Sequence, residues 1–343
     1  MPAARWGPLG GARVDGTGGI VNNFSYSRPA TLRDAHTQLG EEHGRVALLA
    51  GGTDLLGEMK DDLLAPERLV HIKHLRELQG IRPVTTGLRI GAATLLVEIV
   101  ESPAVREQTP LLAMATERVG TPQLRNMGTL GGNLCQRPRC WYFRNNYPCL
   151  KRGGDRCYAA AGENEFHAIL VGGPSFIVHP SDIAPALVAL GATARIVGGT
   201  GERTVALEDF FVTPRQDVRR ENILLPDEIL TEVEVSTAPA GSKAIYVKEM
   251  VREIWDFALC SVAAMVTLKD GVVEDARIVL GGVAPVPYRA ASAEAALRGH
   301  TLNETAAAAA GVAAVEGARP LAKNGYKIPL TQAVVKRALL SLA

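Results

Sequence analysis

Two glycine-rich stretches, LLAGGTDLL at 48–56 and GTPQLRNMGTLGGNL at 120–134, set the tightest limit on what this chain can fold into. In the first, Gly51 and Gly52 directly follow an apolar run, 46–50, that suits a buried strand. Glycine lets a backbone approach a ligand closely and adopt positive φ, and successive N–H groups in such a turn form an anion-binding nest. A diphosphate would suit that nest, with Thr53 adding a hydroxyl. A plain strand-to-helix turn capped by Thr53 and Asp54 would explain the same residues. The second loop shifts the balance, because two separate Gly/Thr/Asn-rich loops are hard to explain as turns alone. No G-x-x-x-x-G-K-[ST] occurs, which excludes a P-loop, and no G-x-G-x-x-G stands between a strand and a helix, so a Rossmann site has no support. A dinucleotide bound by these loops must sit in another fold.

The remaining composition narrows the class. With 343 residues, 47% of them apolar, the chain can bury two or more cores. A net charge of +1 gives no global field for nucleic acid or a membrane surface. No apolar run approaches the ~18–20 residues that span a bilayer. Residues 1–20 lack the apolar segment of a signal peptide and read as a disordered extension.

Along the chain, a short strand and helix are expected over 24–39, strands at 46–50, 67–75 and 87–94, and helices at 96–101 and 110–119. Further on come a strand at FHAILVG or FIVHP, a helix at DIAPALVAL, and strands at TARIVG and RTVAL. A linker is expected near 236–246. Beyond it lie a hairpin turning at Lys269, Asp270 and Gly271, an Ala-rich helix, and a final helix from about Leu330.

Four of the five cysteines crowd into CQRPRCWYFRNNYPCLKRGGDRC, with spacing C-x4-C-x8-C-x7-C. Zinc knuckles use two C-x2–4-C pairs, which only the first pair here approaches, whereas iron–sulfur spacings are more permissive. A disulfide remains a third reading in a chain too large to need one. Arg137, Arg139, Arg144, Lys151, Arg152 and Arg156 face only Asp155 within the loop, a local excess that would suit an anionic cluster. Trp141, Tyr142, Phe143 and Tyr147 could shield such a cluster or offer a docking face. His167 and His179 flank the return to the main fold, and Cys260 sits in an apolar run as a core residue.

AGGTDLL, RNMGTLGGNL, HPSD and YVKEMVREIWDFALCSVAA, in this order and followed by NGYKIPLTQAVVKRALL, resemble the FAD-binding subunit of the molybdenum hydroxylases, the xanthine dehydrogenase family. The resemblance covers nearly everything from Phe24 onward. It implies an α+β chain. Residues 21–238 would form an FAD-binding fold of two α/β subdomains, 21–80 and 81–238, like that of vanillyl-alcohol oxidase. Residues 242–343 would form a C-terminal antiparallel three-stranded sheet with helices, like that of CO dehydrogenase flavoproteins. By the same resemblance, Leu49, Ala50, Gly51, Gly52, Thr53, Asp54 and Leu55 cradle the FAD diphosphate. Gly120, Thr121, Gly128, Thr129, Gly131, Gly132 and Asn133 complete the diphosphate and adenosine pocket. Ser181 and Asp182 match polar contacts to the ribityl and phosphate region. Lys248 matches a lysine near the isoalloxazine, where a cation stabilises the anionic reduced ring; a surface strand lysine is the plainer alternative.

The roughly forty residues inserted at 134–178 resemble those of the aldehyde oxidoreductase and 4-hydroxybenzoyl-CoA reductase subset. That implies a [4Fe–4S] cluster on Cys135, Cys140, Cys149 and Cys157. The implied function is electron transfer. A large molybdenum-cofactor subunit would oxidise an aldehyde, a small subunit with [2Fe–2S] clusters would pass electrons to FAD here, and an external acceptor would take them. No substrate chemistry is expected on this chain. The rivals are a 4-hydroxybenzoyl-CoA reductase-like complex, a stand-alone oxidoreductase of the related FAD fold, and a zinc-stapled scaffold. The expected compartment is the cytoplasm, or the periplasm after export with a partner.

Overall fold

The computed structural model describes residues 21–343, so the expected extension at 1–20 lies outside the described residues. Three sheets organise them. Strands β1 (Ser25–Ser27), β2 (Val46–Leu49) and β3 (Arg68–His71) form a parallel sheet in the order β1-β3-β2. Strands β4 (Ile81–Val84), β5 (Gly87–Gly91), β6 (Thr193–Gly198), β7 (Gly201–Ala206) and β8 (Ile229–Ser236) form an antiparallel sheet ordered β4-β5-β8-β6-β7. The third sheet, β12-β11-β10-β9, joins β9 (Ser242–Glu249), β10 (Cys260–Lys269), β11 (Val272–Gly281) and β12 (Tyr288–Arg289). Among the described residues, no helix is long and apolar enough to cross a membrane.

Strand β10 reads CSVAAMV without the polar alternation of a solvated strand, because both of its faces are covered. Its period of two divides two cores. Cys260, Val262, Ala264 and Val266 pack with the C-terminal helices Glu304–Ala313 and Lys327–Leu340. Ala263 and Met265 pack instead with the helices Pro110–Glu117 and Ile183–Ala189. Tyr246 of β9 joins that second core, and Lys248, two residues on, shares its face. The register therefore aims Lys248 at the helix beginning after Asp182.

The expected β10–β11 turn is present, with Asp270 and Gly271 both at positive φ (52° and 76°), as a two-residue hairpin of matching twist requires. Four expectations need correction. Neither FHAILVG nor FIVHP is a strand. The segment folds back at Gly172-Gly173-Pro174, and its amides are satisfied irregularly: Ala168 N–H donates to Phe176 O, while Ile169 and Leu170 both donate to Val283 O. The C-terminal sheet has four strands rather than three, since the two-residue β12 is too short to leave a sequence signal. The last helix starts at Lys327, with Pro329 tolerated in its first turn, and β9 already begins at Ser242 inside the expected linker.

Candidate functional site: a groove between two glycine loops

The two glycine loops meet. A Cβ added at Gly51 would stand 2.2 Å from Met127 O and 2.9 Å from Gly128 Cα, so only glycine allows this approach. Gly52 has φ +73°, which turns the chain out of β2 and into the helix Leu55–Lys60. Behind the second loop, Leu96 N–H donates to Gly128 O, Leu130 N–H to Thr94 O and Gly131 N–H to Ala92 O, fixing the loop to the strand β5 exit.

Between the loops runs a cavity of about 560 Å³, within the usual range for a small-molecule or cofactor site. Of the residues expected to hold FAD, Ala50, Gly51, Gly52, Thr53, Asp54, Leu55, Gly120, Gly128, Thr129, Gly132, Asn133 and Asp182 line it. The others stand behind the wall. Leu49 packs into a small core with Met59 and Leu69. Gly131 faces Ala92, where an added Cβ would lie 2.9 Å from the alanine Cβ. The Thr121 and Thr129 hydroxyls accept from Leu124 N–H (3.3 Å) and Gly132 N–H (3.2 Å) as helix caps. Ser181 Oγ caps the helix Ile183–Ala189 through Ala184 N–H and bonds Asn133 Oδ1, tying HPSD to the second loop. Ser181 lines a second, smaller cavity of about 290 Å³ that shares Arg139, Pro180, Asp182, Asp256 and Phe257 with the first.

Lys248 is not a surface lysine. Its side chain is buried, and Nζ donates to Asp182 Oδ2 at 2.7 Å and Arg118 O at 3.1 Å. Tyr246 OH donates to the other carboxylate oxygen at 3.2 Å. Burial lifts the Asp182 carboxyl above its usual range despite the cation opposite. Lys248 thus reaches both cavities through Asp182, which lines each of them.

Asp54, in the groove lining, also holds the cysteine insertion. Its carboxylate accepts from Arg137 N–H at 2.7 Å and Arg144 at 2.8 Å, and pairs also with Arg139. Burial opposes its charge, but Arg139 and Arg144 overcome that and hold the carboxyl below its usual range. Glu221, more fully buried, pairs with Lys151 and with Arg137 at 2.7 Å. Four of the insertion's six cations, Arg137, Arg139, Arg144 and Lys151, are therefore paired with two carboxylates distant in sequence. These ion pairs clamp the insertion onto the first glycine loop.

Beside Asp54, burial pushes the Glu58 carboxyl up to about 8. The folded state binds this proton more tightly than an unfolded chain does. The stabilisation is complete below the ordinary carboxyl value near 4.5 and is lost as pH rises through about 8. In denaturant titrations Glu58→Gln should flatten that decline between pH 5 and 8; an unchanged slope would assign the pH dependence to other groups.

The structure separates the four cysteines. Cys140 and Cys149 share a small apolar cluster with Leu63, Phe143 and Tyr158, and Cys140 lies within electrostatic reach of both Cys149 and Cys157. His167 Nε2 stands 3.2 Å from Cys140 Sγ. Cys135 instead lines the groove and packs on the main core, where burial pushes its thiol up to about 12. All five cysteines are free thiols, and among the described residues no group of three or more Cys, His, Asp or Glu is arranged around a single metal ion. Tyr142, Tyr147 and Tyr158 pack edge-on and stacked over the insertion, and Phe143 is buried against its thiols, an arrangement that shields them. His179 is buried, held neutral by that burial at about 4, and stacks edge-on with Phe211.

Sequence reasoning missed the far wall of the groove. Arg252, Trp255, Asp256 and Phe257 line it from the loop between β9 and β10, and Arg139 lies over the Phe257 ring. The signal was present in MVREIWDF, whose Val251, Ile254 and Trp255 are all more than half exposed.

The groove walled by the paired glycine loops is of a size that takes a cofactor. Residues 22–237 match the FAD binding domain in molybdopterin dehydrogenase, and residues 245–342 match the CO dehydrogenase flavoprotein C-terminal domain. The chain belongs to the family of FAD-binding subunits of molybdopterin dehydrogenases. It is 35% identical to the aldehyde oxidoreductase FAD-binding subunit PaoB of Escherichia coli, over 93% of this chain and 96% of that one. It is 30% identical to the carbon monoxide dehydrogenase medium chain of Hydrogenophaga pseudoflava, over 93% and 97%. A solved carbon monoxide dehydrogenase from Hydrogenophaga pseudoflava superposes with a TM-score of 0.75 at 30% identity, covering 94% of this chain and 98% of that one.

Proposed function

We propose that this chain is the FAD-carrying electron-transfer subunit of a heterotrimeric molybdenum hydroxylase that oxidises an aldehyde. The observation that carries the reading is the groove itself. Its two loops close to a distance that only Gly51 permits, and its length continues from them to Asp182 and Phe257. Ala50 to Leu55 and Gly120, Thr121, Gly128, Thr129, Gly132 and Asn133 are the residues to hold the diphosphate and adenosine, with Leu49 and Gly131 shaping the walls from behind. Bound there, FAD supplies a carrier that exchanges electrons singly or in pairs.

The chain's own part is to bind and orient. Asp182 holds Lys248 in place and keeps its charge from water, so that a cation stands behind the flavin end of the groove. Trp255 and Phe257 stand in the far wall of the groove. The substrate class rests on the aldehyde oxidoreductase relative and on the glyceraldehyde dehydrogenase medium chain of Sulfolobus acidocaldarius, 31% identical over 82% of this chain. The partners are a large molybdenum-cofactor subunit, a small subunit carrying [2Fe–2S] clusters, and an external acceptor. The resemblance of the insertion at 134–178 supports a [4Fe–4S] cluster on Cys135, Cys140, Cys149 and Cys157, although among the described residues these thiols do not converge on a metal site.

Co-expression of the chain with its neighbouring subunits, followed by metal and flavin analysis, tests this directly. FAD, iron and molybdenum should co-purify. A preparation containing zinc, with neither flavin nor iron, would establish the scaffold rival.

A further inference from the structure

We propose that the smaller cavity, about 290 Å³ beside the glycine-loop groove, is the site of the external electron acceptor and takes a neutral quinone. The proposal rests on the reading of the larger groove as the flavin site, and it names the acceptor that meets the flavin. The two cavities share Arg139, Pro180, Asp182, Asp256 and Phe257, so their occupants stand side by side along this common wall. The rest of the smaller cavity is built from distant parts of the chain. The cysteine insertion supplies Trp141 and Phe166, whose rings meet edge-on at 5.8 Å. The β9–β10 loop supplies Val251 and Leu259, and the turn after β11 supplies Gly282. Lys327 staples two of these parts from behind: its Nζ donates to Phe166 O at 2.9 Å and to Gly282 O at 2.8 Å. At Gly282 φ is +73°, and an added Cβ would stand 2.6 Å from Ala258 O, so the β9–β10 loop is held close as well.

Charge decides the class of ligand. Each of the three charged groups in the wall is already matched. Arg139 pairs with Asp54, and Asp182 with Lys248. Asp256 accepts from Arg252 N–H at 3.2 Å and from Phe257 N–H at 2.9 Å. His167 and His179 also line the cavity, and burial holds both imidazoles neutral, at about 4. The helix that begins beside it, Ile183–Ala189, is already capped by Ser181 Oγ. Among the described residues of this wall, no cation is left over to compensate a phosphate, which argues against a nicotinamide dinucleotide. Trp141, Phe166 and Phe257 instead offer flat apolar surface to an uncharged ring. A quinone has such a ring and accepts electrons. To leave as the quinol it takes two electrons and two protons: two electrons and one proton from the anionic reduced flavin, which returns to its oxidised form, and one proton from water. Trp141, Phe166 and Val251 are exposed, which opens the cavity to water and to the quinone.

The test uses the full chain loaded with FAD and takes duroquinone as the probe, because its fully methylated ring leaves the cysteines no open position to add to. Flavin content is measured first in every sample. Equilibrium dialysis should show one duroquinone site in the wild type and no binding of NADH at the same concentration. Ala258→Trp fills the smaller cavity from a residue that does not line the groove, so it should keep its flavin and lose duroquinone binding. Phe166→Ala removes part of the wall at its exposed edge and should weaken that binding severalfold. Anaerobic reoxidation of the photoreduced flavin by duroquinone should slow severalfold in both variants. An FAD-loaded wild type that binds no duroquinone, one that binds NADH in its place, or duroquinone binding that neither variant weakens overturns the proposal. Failure of the flavin reading shows separately, as a folded chain without FAD, and removes the acceptor role with it.

Discussion

Gly51→Ala is expected to abolish stable flavin retention. The added methyl would meet Met127 O at 2.2 Å and Gly128 Cα at 2.9 Å, both backbone atoms that no rotamer change can move aside. The loops must separate instead. Overpacking of this kind costs about 1–3 kcal/mol, which spent on the bound geometry weakens affinity up to about a hundredfold. Gly57→Ala is the matched control. It lies one turn on in the helix Leu55–Lys60, an added Cβ there meets nothing within 4 Å, and alanine favours the helix by up to about 1 kcal/mol. Flavin fluorescence released on denaturation reads both. Normal flavin content in Gly51→Ala would show that the loop contact does not shape the site.

The second large effect is expected at Lys248. Replacing it with methionine leaves the Asp182 carboxylate buried with only Tyr246 for a partner. Breaking a buried pair from one side costs about 3–5 kcal/mol, because the remaining charge is uncompensated. The denaturation midpoint of Lys248→Met should fall accordingly. Adding Asp182→Asn should recover much of the loss, since the orphaned charge is then gone. A double variant no more stable than the single one would mean that Lys248 acts through packing alone.

What the sequence made legible follows from how local each signal was. Gly51 and Gly52 could be read because a strand, a tight turn and a helix start lie within ten residues. The β10–β11 hairpin announced itself through Asp270-Gly271. Lys248 could be singled out but not its partner, since Asp182 is 66 residues away and the pairing depends on β9 register. The partners of the insertion's cations were hidden for the same reason: Asp54 and Glu221, which pair with four of them, come from the first glycine loop and from just before β8. Cys135, whose neighbourhood depends on the helix Leu130–Leu134 that it caps, also lines the groove, which sequence alone did not show.

The central claim is that the space between the two glycine loops is a flavin site. Flavin analysis of the purified, folded full-length chain tests it most directly. The account predicts stoichiometric FAD, bound without covalent attachment, released on unfolding and lost in Gly51→Ala but not in Gly57→Ala. A folded chain that carries no flavin and takes up none when FAD is added would contradict it.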